Sequence, residues 1–90
     1  MNRLCFVNGT ARKMLLVIEP RSSEFWIKSK STVELCVEGD SMHLALDVEY
    51  LPNGMVIYLD NALNVAVRQD GQPVRPDKQS SRLGRRLTGS

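Results

Sequence analysis

Apolar and polar residues alternate with a period of two over much of the chain, the pattern of half-buried strands. In residues 32–38, Val33, Leu35 and Val37 share one face, while Glu34, Cys36 and Glu38 share the other. In residues 42–50, Met42, Leu44, Leu46, Val48 and Tyr50 line one face, against His43, Ala45, Asp47 and Glu49. Met55, Ile57 and Leu59 then oppose Val56, Tyr58 and Asp60, and Leu63, Val65 and Val67 oppose Asn64 and Ala66.

Turn residues between these runs predict hairpins. Gly39-Asp40 suits a type II′ loop, which would set Val37 against Met42, Leu35 against Leu44 and Val33 against Leu46. Asn53-Gly54 suits type I′ and would set Tyr50 against Ile57 and Val48 against Leu59. Asp70-Gly71 would pair Val67 with Val74. Three successive hairpins make an antiparallel meander over residues 32–75.

One feature interrupts this row. The Asn53-Gly54 register opposes Asp47 to Asp60, and like charges directly opposite destabilise a ladder. Asn61 follows and ends the apolar row 55, 57, 59. A bend is therefore expected at 60–62, after which residues 63–67 leave for another sheet or another chain.

The N-terminal third reads two ways. Residues 3–18 fit a hairpin around Asn8-Gly9, or a short helix with Thr10 as N-cap and Pro20 as stop. The unbroken "MLLVI" (14–18) is rich in β-formers and favours a strand. Residues 24–29 read as another short strand and 28–31 as a loop or an edge. Met14 is a conceivable internal start.

Composition adds a charge split. Residues 1–74 carry seven Lys/Arg against nine Asp/Glu, and residues 75–90 carry five against one. From Gln72 onward Pro, Ser, Gly and Arg dominate, which predicts a disordered basic tail over 76–90 behind a single small domain over 1–75. The expected fold is all-β, a half-open barrel or sandwich of about five to seven short strands. A core this small makes a homodimer or a protein partner at an open strand edge an expectation.

Two cysteines, Cys5 and Cys36, make no disulfide framework and suit reduced thiols in the cytoplasm. No run approaches the roughly 18–20 apolar residues of a membrane span, so no membrane partner is expected.

Little chemistry is indicated. The Gly39-Asp40 register would bring Cys36 opposite His43, but a zinc site needs further ligands and a nucleophile needs an oxyanion site. No metal, cofactor or catalytic residue is assigned, and an enzyme is not expected. Phe25 and Trp26 point to opposite faces of one strand. Either Trp26 is core with Phe25 half-exposed, or the outward aromatic offers an interaction surface or a stacking platform for a base.

From Met14 the chain resembles the carbon storage regulator family of small bacterial RNA-binding proteins. "MLLVIEPRSSEFWI" places Arg21, Glu24 and Ile27 in the family's order, and "NALNVAVR" supplies Ala62, Val65, Val67 and Arg68. Glu19-Pro20, Ser23 and Leu63 depart from its pattern, and "DGQPVRP" cannot form its C-terminal helix. The resemblance implies an interlocked homodimer, with the first and last strands of opposite subunits paired. It also implies a regulator of RNA whose Arg21 and Arg68 contact loops carrying GGA. The alternative is a protein-interaction module using a strand edge or an apolar patch at Phe25 or Trp26.

Overall fold

The computed structural model describes residues 2–39, 45–60 and 62–77, which form eight strands. These are β1 (Asn2–Val7), β2 (Met14–Glu19), β3 (Ser23–Ile27), β4 (Thr32–Gly39), β5 (Ala45–Leu51), β6 (Gly54–Asp60), β7 (Ala62–Gln69) and β8 (Gln72–Val74). They build two four-stranded sheets, ordered β1-β4-β7-β8 and β3-β2-β6-β5. The fold is all-β. No helix among the described residues is long and apolar enough to cross a membrane.

The sheets face each other through the alternating apolar rows. Val33, Leu35, Val37 and Val67 come from one sheet, and Leu16, Ile18, Phe25, Ile27, Ile57 and Leu59 from the other. All ten are buried in one core. Burying a side chain of this size contributes about 1.5–3 kcal/mol relative to leaving it exposed.

Partner choice departs from the meander. β4 lies between β1 and β7, so Leu35 faces Leu4 and Val67, and Val33 faces Phe6 and Gln69. The pairing expected from Gly39-Asp40 is not made: β4 has β1 and β7 on its two sides, and Leu46 pairs with Leu59 in the opposite sheet. Strict alternation fits any antiparallel neighbour whose face matches, so it fixes a strand's face but not its partner. Residues 40–44, which hold Asp40 and His43, lie outside the described residues.

The hairpin at Asp70-Gly71 forms in the expected register, Val67 opposite Val74, with positive φ at both turn residues. The β5–β6 hairpin forms with its loop moved by one residue. Leu51 and Gly54 close a turn over Pro52-Asn53, so Tyr50 meets Met55 and Val48 meets Ile57. A register change of two preserves both faces. Gly54 is held instead beside Leu15 of β2, whose backbone N–H donates to the Asn53 carbonyl at 2.8 Å.

This register also removes the carboxylate opposition, since Asp47 faces Tyr58 and Asp60 faces Ala45. The break it was expected to explain is nonetheless present. β6 ends at Asp60 and β7 begins at Ala62 in the other sheet, against β4; Asn61 lies outside the described residues. Residues 14–19 are a strand, as the β-rich composition favours. Asn8-Gly9 is not a hairpin turn: β1 and β2 belong to different sheets, and residues 8–13 carry the chain between them.

The body extends slightly beyond residue 75. The Asp77 N–H donates to the Glu24 carbonyl at 2.7 Å, and its Oδ2 accepts from the Trp26 N–H at 2.9 Å. Residues 78–90 of the expected tail lie outside the described residues.

Candidate interaction surfaces

Arg68 stands on the outer face of the β1-β4-β7-β8 sheet, opposite Glu34. Its guanidinium donates to the Gly71 carbonyl at 2.8 Å, and its Nε lies 3.9 Å from Glu34 Oε1. Arg3 reaches the same carboxylate from β1 through an ion pair with Oε2. Glu34 is thus gripped from both sides, with 18% of its side chain exposed.

The Arg3 hydrogen bond and charge, with help from Cys36 and Arg68, hold the Glu34 carboxyl below the usual carboxylate range against the opposing effect of burial. The Arg3 guanidinium is raised reciprocally. A carboxylate with a lowered folded pKa adds stability above its unfolded pKa, and that stability is lost as pH falls through the folded value. Glu34→Gln should therefore melt below wild type near neutrality, with the gap closing in acid. Urea melts from pH 7 to pH 3 test this; a gap that does not change with pH would remove the ion pair from the account.

Cys5 and Cys36 flank the same carboxylate, with Sγ atoms 4.0 Å and 3.7 Å from Glu34 oxygens, and both thiols are free. Cys36 faces Arg3 and Ala66 across its two ladders, where the rejected hairpin would have set His43. This proximity of the two thiols could not be read from their spacing, because it depends on β1 pairing with β4.

Arg21 lies elsewhere. It is exposed in the β2–β3 turn, at the rim of a cleft of about 300 Å³ between the sheets. Phe25, Leu59, Val67 and Val74 line the interior of that cleft. Arg21 and Arg68 do not share a face. β2, the strand that the resemblance would pair across a dimer, has β3 and β6 on its two sides, while β7 lies between β4 and β8.

The two aromatics are also separated. Phe25 is 5% exposed and belongs to the core, whereas Trp26 is 44% exposed on the outer face. Trp26 remains available as a contact residue; Phe25 is not a surface residue. The expectation of a core Trp26 with Phe25 half-exposed is reversed, because Phe25 shares the face of Ile27 and Ser23, which turns inward.

The most exposed apolar row is on β5. Leu46, Val48 and Tyr50 lie on the sheet face that is core on β6 and β2, yet they are 40%, 42% and 81% exposed. β5 is an edge strand, and its row overhangs the opposite sheet. Period-2 alternation cannot separate a row that meets the other sheet from one that overhangs it.

Among the described residues no strand pairs with the outer edge of β5, and its backbone is open in step with this row. A two-residue loop requires its closing pair, Leu51 and Gly54, to be a hydrogen-bonded pair. Alternation then turns the N–H and C=O groups of Asp47 and Glu49 toward β6, and those of Leu46, Val48 and Tyr50 outward. Among the described residues, two of the other three edges are guarded. Asp77 and the Gln69 side chain hydrogen-bond β3 and the residue after it, and β8 is three residues long and contains Pro73. A covering segment, proline and short length are among the usual protections of a sheet edge.

Compared with known proteins, the chain matches no family model, no curated protein and no solved structure.

Proposed function

We propose that this chain is a non-enzymatic protein-interaction module of the cytoplasm that accepts an extended partner segment as an added strand on β5. The observation that carries the reading is the coincidence, on one edge, of outward backbone groups with the exposed row Leu46, Val48 and Tyr50. In strand addition the main-chain hydrogen bonds supply affinity and alternate side chains supply specificity. Asp47 and Glu49 occupy the intervening positions. The favoured partner therefore alternates apolar residues with Lys or Arg. The RNA-binding reading draws on Arg21 and Arg68, which stand on different surfaces, with Arg68 held by Gly71 and Glu34. For that reason strand addition is the better-supported function.

A displayed library of linear peptides, panned on the immobilised full chain, tests it. Selected peptides should alternate apolar and basic residues. Val48→Pro removes an outward N–H at an edge position where proline is tolerated, and should weaken the selected peptides about tenfold or more. Val48→Lys, which keeps the backbone donor and charges the row, should weaken them similarly. Far-UV circular dichroism should be unchanged in both. Absence of selection, or selection indifferent to both variants, removes the proposal. Salt-titrated binding of a GGA-bearing hairpin RNA, weakened by about 1–3 kcal/mol in Arg68→Ala, would return the RNA reading in its place.

A further inference from the structure

The β5 edge raises the question of what covers it, and the chain carries a basic segment that holds two leucines on one face. Residues 82–87 read Arg-Leu-Gly-Arg-Arg-Leu. In an extended conformation Leu83, Arg85 and Leu87 fall on one face, and Arg82 and Arg86 on the other. Paired with β5, such a strand sets Leu83 and Leu87, with the stem of Arg85 between them, on the Leu46–Val48–Tyr50 row, and Arg82 and Arg86 on the side of Asp47 and Glu49.

Symmetric pairing of β5 with itself is disfavoured. The register with most overlap, centred on Val48, would set Asp47 against Glu49 of the second copy twice, and directly opposed like charges destabilise a ladder. A basic strand on the same edge meets opposite charge instead.

Geometry separates the two sources of this segment. The last described residue, Asp77, is hydrogen-bonded along β3, at the far edge of the same sheet from β5. A strand added outside β5 lies four strand spacings from β3, about 19 Å in a straight line through the sheet. Five residues, from Asp77 to Arg82, span at most about 18 Å, and the path over a face is longer than the straight line. The chain's own segment cannot reach in this register, but a second copy's can.

We infer that β5 of one copy takes up the Arg82–Leu87 segment of a second copy, so that the chain self-associates through its basic C-terminal segment and the acidic, apolar edge. This rests on β5 being a strand-accepting edge. It makes the homodimer or larger assembly a consequence of tail and edge, with no symmetric core interface required. It also makes any outside partner of β5 a competitor of self-association. The association is charge-assisted at exposed positions and so weakens with added salt.

Sedimentation velocity on the full chain over a dilution series tests this directly. Wild type should associate at micromolar to millimolar concentration, and less in high salt. Arg82→Glu with Arg86→Glu should weaken association about tenfold or more, as should Asp47→Arg with Glu49→Arg. The combined four-site exchange should restore it, which a merely damaged fold would not do. The circular dichroism of all variants should match wild type. The inference is overturned if wild type is monomeric up to about 1 mM, if the Arg82/Arg86 variant associates like wild type, or if the exchange fails to rescue. A monomeric wild type that still selects basic-apolar peptides on β5 sinks self-association and leaves strand addition standing. Association that survives Val48→Pro removes β5 as the acceptor altogether.

Discussion

Gly54→Ala is expected to be the most damaging small substitution in this protein, costing more than about 4 kcal/mol, at the far end of the range for single changes. Gly54 closes the β5–β6 hairpin opposite Leu51 and at the same time lies beside Leu15 in the parallel β2–β6 ladder. A methyl group there would fall inside the carbonyl of Leu15 and within 2.8 Å of its nitrogen. These are backbone atoms of a central strand, so no side-chain rotation relieves the overlap. Relief requires β2 and β6 to part, which opens the core at Leu16 and Ile57, both at most 1% exposed. A chain of this length has a total stability of about 5–13 kcal/mol, so the variant should be largely unfolded or strongly shifted in urea. Two other glycines are controls. Gly9→Ala meets nothing within 4 Å and should change stability by less than about 0.5 kcal/mol. Gly71→Ala also has open space, but its φ of +81° makes a side chain cost about 1 kcal/mol. Urea midpoints followed by circular dichroism rank the three. A Gly54→Ala midpoint close to wild type would mean that β2 and β6 do not approach as described.

The same glycine shows how far the chain could be read in advance. Faces were legible: the alternation at 33–37, 55–59 and 65–67 places the side chains that form the core. The turn at Asp70-Gly71 was legible to the residue, because positive φ at both positions leaves few sequences that fit. Partners were not legible. Asn53-Gly54 looks like a type I′ turn, yet Gly54 answers to a contact with β2, which is 39 residues away in sequence and invisible to local turn chemistry. The departure of the chain after Asp60 was anticipated from a carboxylate opposition that the true register does not contain. The apolar row does end before Asn61 in the sequence, but no opposition of carboxylates accompanies that end.

The candidate site divides in the same way. Leu46, Val48 and Tyr50 were visible as a row, but their exposure depends on which strand ends up at the sheet edge. Edge position is a property of the whole topology, set once β4 has taken β1 and β7 as neighbours and left β5 to the other sheet. Arg21 and Arg68 were singled out by motif order alone. Their separation onto different surfaces follows from the crossing between sheets that places β2 and β7 apart.

Asn8→Ala is expected to cost about 2–4 kcal/mol, a large effect for a polar residue in a loop. Asn8 is 1% exposed where residues 8–13 and 28–31 both carry the chain from one sheet to the other. Its Nδ2 donates to the carbonyls of Arg12 at 2.9 Å, Ile27 at 3.2 Å and Lys28 at 3.1 Å. Its Oδ1 accepts from the Thr10 N–H at 3.1 Å and the Thr10 hydroxyl at 2.7 Å. Its backbone bonds the second crossing as well, donating to the Ser31 carbonyl and accepting from the Lys30 N–H. One side chain therefore satisfies the carbonyls of two loops that lack a ladder of their own. Removing it strands buried acceptors, and a stranded buried group costs about 1–3 kcal/mol where a hydrogen-bonded one costs little. The ordering of variants follows from the donor count. Thr10→Val removes only the hydroxyl contacts and should cost about 0.5–1.5 kcal/mol. Asn8→Asp keeps an acceptor for Thr10 but turns a negative charge toward carbonyl oxygens that need a donor, so it should be worse than Asn8→Ala at pH 7. Urea melts of the three variants, with hydrogen exchange at the Lys30 and Ser31 amides, check the order. An Asn8→Asp protein as stable as Asn8→Ala would mean that the Nδ2 contacts, and with them the clamp between the two crossings, do not hold the sheets together.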